Sequence, residues 1–435
     1  MNALPADDAL RETLHNEIHA RPPARIRLPA LVVYVAVLNE GVTRQAELSH
    51  LQKLPGQQGL NLQDLSGSFL RIRFGDHTMK WERHTEFTRY SFVQSFDEAM
   101  LSRANEAELI HSLKVDTGWL ASIPGRTIAA VMLAMVHGDV DDNAAMKARA
   151  APWFDERDTL TSLMGLRRSC VMTDFRLRES GFERLLVIAP TSTSETRSGR
   201  ISQRLLELET YRLMALRGLP VAKELSPMLA DAEASLADIT ASMEDTQASD
   251  QDLLHTLISL AAKVERATAT HMYRFSATQA YYALVQQRID QLREAPVPGT
   301  QTVGEFMERR LSPAMATVRA TAQRLTLLSQ RIERASGLLR TRVDIATETQ
   351  NQMLLEQLTR GQALQLGLQT TVEGLSIAAI SYYVVSLILY AGKAAKSAGM
   401  PVNPEVLAGA MIPVVLLGIW WATRQIHKKL QGAHG

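Results

Sequence analysis

Residues 374–392 (GLSIAAISYYVVSLILYAG) and 406–423 (VLAGAMIPVVLLGIWWAT) run 19 and 18 residues without a charge. A helix needs about 20 predominantly apolar residues to cross a hydrocarbon core of about 30 Å, and each stretch comes close to that length. Only 13 residues, 393–405, separate them. The chain is therefore expected to carry a C-terminal transmembrane hairpin below a large soluble region, with the lipid bilayer as its first partner.

Basic residues near the spans set the expected orientation. Arg360, Arg424, Lys428 and Lys429 lie on the terminal sides, against Lys393 and Lys396 in the connecting loop. The count favours both termini in the cytoplasm. The start, MNALPADDAL, lacks a basic stretch followed by an apolar one, so no secretory signal is expected there. Trp420 and Trp421 suit a cytoplasmic interface, where amphipathic rings are favoured.

Outside the hairpin the composition is that of a soluble protein. The formal net charge of +1 offers nucleic acid no electrostatic footing, and no nucleic-acid partner is expected. The one cysteine, Cys170, makes no internal disulfide and fits a reducing compartment as a core residue.

Working back towards the N-terminus, residues 196–371 read as helices. Residues 203–217 and 224–244 are amphipathic, and 252–293 is long, with Leu253, Leu257, Leu260 and Val264 at helical spacing. Thr302 and Glu305 make a capping box, and beyond it only Pro313 interrupts the pattern before the first span. Leu325, Leu328, Ile332, Ala335 and Leu339 follow the 4-3 spacing of paired helices. A stalk helix running into the membrane is expected; at 1.5 Å per residue, roughly 60 residues extend about 90 Å. Residues 1–195 read as strands and a few helices, with strands at 30–38, 68–74, 78–93, 126–136, 166–177 and 182–188, and a helix at 105–120. The expected architecture is thus a mixed α+β cytosolic domain (1–195), a helical stalk (196–371), a transmembrane hairpin (372–423) and a short basic tail (424–435).

Three groups of residues are candidate sites. In the first span Ser376, Tyr383, Ser386 and Tyr390 fall within about an 80° arc at 3.6 residues per turn, with Glu373 at the cytoplasmic end. Hydroxyls find no partner in lipid, so the stripe is expected to face protein or water. Packing within the hairpin or an oligomer satisfies that, and so does a pore lining. His15 and His19 in LHNEIHARPP are four apart, the spacing of paired metal ligands on a helix. A polar segment docked on the sheet is the other reading. In WERHTEF (81–87), read as a strand, Glu82, His84 and Glu86 share one face. Buried, such a row tunes a histidine or holds a cation; exposed, it is a solvated face. Arg204, Glu207, Glu209 and Arg212 in RLLELETYR are expected to pair on a helix surface. No phosphate loop, dinucleotide fingerprint or zinc-cysteine cluster is present. No enzymatic activity is expected, and no cofactor is indicated.

LHNEIHARPP, WERHTEF, PGRTIAA, RLLELETYR and VEGLSIAAISYY together resemble the bacterial membrane-anchored proteins grouped as domain of unknown function 3422, over nearly the whole chain. The resemblance implies a bacterial membrane protein and offers no catalytic residues to carry over; with the two spans, a multi-pass protein of the bacterial inner membrane is expected. The layout also resembles CorA-type magnesium transporters, in which an α/β cytosolic domain and stalk helices sit above a short hairpin and the first spans of an oligomer line the pore. Their Gly-Met-Asn signature is interrupted here, as Gly399-Met400-Pro401-Val402-Asn403. The layout implies a homo-oligomeric ion channel or transporter; a membrane-anchored scaffold or regulator is the alternative.

Overall fold

The computed structural model describes residues 7–12, 14, 15, 24–102, 105–244, 248–401 and 403–431, with side chains as far as residue 425. It divides into two compact units, one up to Ser336 and one from Gly337.

The first unit is built on β1 (Ala30–Leu38). Its run ALVVYVAVL is β-branched and buried on both faces, as a central strand requires. A helix α1 (Arg44–Leu51) follows, then a meander of β2 (Phe69–Phe74), β3 (His77–Arg83) and β4 (Phe87–Ser95). Two short helices, α2 (Glu106–His111) and α3 (Thr117–Ala121), lead to β5 (Arg126–His137); α4 (Asn143–Ala150) leads to β6 (Leu160–Met164), β7 (Ser169–Leu177) and β8 (Glu183–Ala189). The long helices are α5 (Glu195–Leu216), α6 (Gly218–Ser242) and α7 (Asp250–Leu292). After them come the two-residue β9 (Ala295–Pro296), α8 (Val303–Arg310), α9 (Ser312–Ser397) and α10 (Pro404–Gln431). The described strands form one sheet in the order β2-β3-β4-β1-β5-β8-β7-β6-β9. Every pairing in it is antiparallel except β5 with β8. This is the mixed α+β class expected from the sequence.

Period two along β1 divides its side chains between two layers. Leu31, Val33, Val35 and Val37 join Trp81, Phe92, Trp119 and Trp153 in the main core beneath the short helices. Tyr34, on the other face, meets α5, where its hydroxyl lies 2.6 Å from Thr210 Oγ1. Helices α6 and α9 are tied by Arg324, which holds both Glu233 oxygens at 3.1 and 2.7 Å. The Thr302–Glu305 capping box is formed at the start of α8.

Two expected elements are interrupted. The strand read over 78–93 is a hairpin: His84 N donates to Phe87 O at 2.8 Å, and Asn39 Nδ2 donates to His84 O at 2.9 Å. The turn residues 84–86 separate β3 from β4. The helix read over 105–120 breaks at 112–116, where the Gln94 side chain, from β4, accepts from Lys114 N and donates to Ser112 O. Asp116 then caps α3 by accepting from Trp119 N at 2.7 Å. In both places a side chain remote in sequence satisfies backbone groups that a longer element would have paired internally.

Candidate functional site

In the second unit the apolar parts of α9 and α10 carry matching recessed positions. Ile377, Ser381, Val384, Ile388 and Gly392 are among the less exposed residues of α9, beside Val385, Ser386 and Leu389; Pro404, Ala408, Met411, Val415 and Ile419 are among those of α10. Both series step by 4, 3, 4 and 4. They form the seam of the helix pair, and a Cβ on Gly392 would lie 3.3 Å from both Cα and Cβ of Pro404. Small residues at such a crossing let two apolar helices approach closely. The remaining surface is bare: of the apolar window in each helix only 6% and 11% is buried.

Three of the four stripe hydroxyls, those of Ser376, Tyr383 and Tyr390, lie outside this seam. Ser376 is exposed, Ser386 is half-buried, and Tyr383 and Tyr390 are 68% and 67% exposed. Ser386 Oγ donates to Tyr382 O at 2.8 Å, a bond that satisfies its proton within the helix. Glu373 is half-buried immediately before the apolar run. Cations stack on aromatic rings near both ends of the pair: Lys393 Nζ lies 5.9 Å from the Tyr390 ring centre, and the Arg424 guanidinium 5.1 Å from that of Trp420. From Pro404 to Arg424 a helix extends about 30 Å, so these amphipathic pairs bracket one hydrocarbon thickness.

In the first unit the row expected in WERHTEF is dispersed by the hairpin turn. Glu82 stays on β3, His84 stacks on Phe87 with ring centres 4.5 Å apart, and Glu86 pairs with Arg274 of α7. The three do not share a face. Glu82 faces its cross-strand partner Arg89, which binds it through Nε at 2.6 Å and Nη2 at 2.9 Å. Arg89 also reaches Glu207 of α5 at 3.3 Å; Arg288 of α7 holds the other Glu207 oxygen at 2.6 Å, and Lys80 lies 3.0 Å from Glu82. Glu82, Arg89 and Glu207 are all buried. Burial alone works to raise both carboxyl pKa values. The surrounding guanidinium and ammonium groups and the hydrogen bonds outweigh it and hold both below the usual carboxylate range.

Of the pairs expected along this helix, Glu209 with Arg212 forms, three residues apart but buried rather than on the surface, while Glu207 turns to Arg89 and Arg288 instead. Both glutamates point at the sheet, where Glu209 and Glu183 converge on Arg212. Here burial dominates, with the second carboxylate adding to it, and the Glu183 carboxyl is pushed up to about 8. A group raised in the folded state binds a proton more tightly there than in the unfolded chain, so its contribution is complete below 4.5 and is lost as the pH rises through 8. Glu183→Gln is therefore expected to flatten the pH dependence of stability between pH 5 and 8, leaving it less stable than wild type at the acid end and relatively improved at the alkaline end. Urea midpoints at pH 5, 6.5 and 8 check this; parallel wild-type and variant curves would refute it.

His15 is exposed, and His19 lies outside the described residues. Cys170 is buried in β7, and burial pushes its thiol up to about 12, which leaves it without thiolate at neutral pH.

The chain belongs to the family described as protein of unknown function DUF3422, whose model matches residues 6–430. No curated protein matches it.

Proposed function

We propose that this DUF3422 protein is an integral membrane protein whose helix pair assembles with other copies of the chain, the first spans meeting through the hydroxyl stripe to line an ion path. The observation that carries this reading is the position of Ser376, Tyr383 and Tyr390. They are exposed and outside the seam with α10, so the helix pair by itself leaves these hydroxyls unpartnered by a neighbouring helix. In a bilayer such a face is favoured against protein or water rather than lipid. Two spans cannot enclose a pore, so the reading requires an oligomer with the soluble units on the cytoplasmic side.

A second reading is a membrane-anchored regulator without transport. It is favoured by Ser386, whose proton is already donated to its own helix, and by Lys393 and Lys396, which give the connecting loop a basic character that repels cations.

The expected result is a discrete complex of four or more chains in mild detergent and in nanodiscs. Liposomes containing it are expected to show an ion flux that falls several-fold with Ser386→Leu or Tyr383→Leu. A monomer or dimer without flux would sink the conducting reading. In that case replacing 372–423 with an unrelated two-span anchor is expected to preserve function, as the regulator reading requires.

A further inference from the structure

The turn between β6 and β7, the first half of α5 and the end of α7 enclose a cavity of about 540 Å³. Five of its lining residues are arginines: Arg168 from the turn, Arg197, Arg200 and Arg204 from α5, and Arg293 just beyond α7. Among the described residues no aspartate or glutamate lines it. The three on α5 lie at i, i+3 and i+7, which places them on one helix face.

Backbone hydrogen bonds hold this arrangement together. Arg197 Nη2 donates to Gly165 O at 3.3 Å, Arg204 Nη1 donates to Gln291 O at 3.1 Å, and Gly165 N donates to Leu292 O at 2.9 Å. The two side-chain bonds fix the guanidinium stems while each keeps further N–H donors. Leu166 and Arg167 have φ of 64°, and Arg293 has φ of 50°. For residues with a Cβ this conformation is disfavoured, because the Cβ crowds the following carbonyl oxygen. Both strained segments border the cavity.

Elsewhere in this unit several buried or half-buried arginines have carboxylates: Arg89 has Glu82 and Glu207, Arg212 has Glu183 and Glu209, and Arg288 has Glu207. The cavity brings five cations near one another with no carboxylate among its lining residues. Burial, followed by the neighbouring Arg168 and Arg200, disfavours the charged form of Arg197; burial, then Arg200, Arg288 and Arg293, does the same for Arg204, with Glu207 offsetting part of it. An anion between them would relieve this repulsion and convert it into charge-assisted, forked hydrogen bonds.

We infer that this cavity binds a phosphorylated small molecule carrying two or more negative charges. Its volume is within the usual range for small-molecule sites of about 300 to 1,000 Å³. Five guanidinium groups are more than one orthophosphate can engage, which favours a diphosphate or triphosphate group. Met164, Leu166, Ile201 and Leu292 supply an apolar wall for an organic portion. A soluble phosphate ester and a lipid headgroup share this chemistry.

The test is calorimetric titration of the full chain in zwitterionic nanodiscs with sodium tripolyphosphate and with ATP. One saturable site per chain is expected. Arg168→Gln with Arg200→Gln, both at exposed positions, is expected to weaken it tenfold or more. Arg310→Gln with Arg319→Gln, which removes the same charge elsewhere on the surface, is expected to leave it within twofold. Repeating the titration in nanodiscs rich in phosphatidylglycerol separates the two sources. Unchanged affinity assigns a soluble ligand, and competition that vanishes in the Arg168/Arg200 variant assigns a headgroup. Binding with no defined stoichiometry, binding equally weakened by both double variants, or no binding by either source overturns the inference.

Discussion

Replacing Arg89 with methionine is expected to destabilise the soluble unit by about 3 to 5 kcal/mol, the cost of removing one partner from a buried ion pair. The guanidinium is the shared partner of Glu82 and of Glu207, which lies 118 residues from Arg89 along the chain. Lys80 and Arg288 remain on either side, which places the expected loss toward the lower end of that range. Methionine preserves much of the volume, so packing contributes little to the difference. The loss is expected to depend on pH. In the wild type both carboxyl groups are held below their ordinary value of 4.5, so their contribution is present above that value and lost as the pH falls through the folded-state values. In the variant, burial without Arg89 shifts them upward, and protonation relieves the penalty. The gap between the two proteins is therefore widest near pH 7 and narrows toward pH 4.5. Urea unfolding followed through the buried Trp81, Trp119 and Trp153 measures it. A gap below 1 kcal/mol at pH 7, or one that widens on acidification, would contradict the assignment.

Gly199→Ala is expected to have a similarly large effect for a steric reason. A Cβ at this position of α5 would lie 1.6 Å from the Ala24 carbonyl oxygen and 2.7 Å from its carbon. These are backbone atoms and cannot swing aside as a side-chain tip can. The segment is also held at Ile26, whose N–H donates to Glu195 O at 3.1 Å and whose side chain is buried. Either residues 24–28 peel from the start of α5 or the helix shifts on the sheet. Overpacking of this kind costs about 1 to 3 kcal/mol, occasionally more, and the upper end is expected. Partial proteolysis distinguishes the two responses: new cleavage between residues 24 and 29 marks peeling. An unchanged urea midpoint with wild-type proteolysis would show that the close approach is not needed.

Much of the architecture was legible because its causes are local. Uncharged runs of 19 and 18 residues identify helices that water does not favour exposing. Thr302 and Glu305 satisfy each other's backbone groups within one turn, and β1 declares itself through uninterrupted β-branched residues. The limits of local reading show at 78–93 and 105–120. Both carry a plausible continuous pattern, and both are broken by partners, Asn39 and Gln94, that lie far away in sequence.

The polar side chains followed the same division. Their types and spacing singled out RLLELETYR and WERHTEF, yet the expected geometry was that of surface pairs on one helix and of a row on one face of one strand. A helix sequence specifies which residues share a face, and the hydroxyl stripe of the first span was readable on that basis. It does not specify what that face meets. Chain closure over more than a hundred residues brought Glu207 onto Arg89 and gathered Arg168, Arg197, Arg200, Arg204 and Arg293 around one cavity. The sequence by itself thus determined the fold class and the apolar helix pair, because periodicity and charge act over a few residues. Only the tertiary structure decided which charges are neutralised and which converge unpaired, because Coulomb energy and desolvation depend on distances between chain segments that no local pattern encodes.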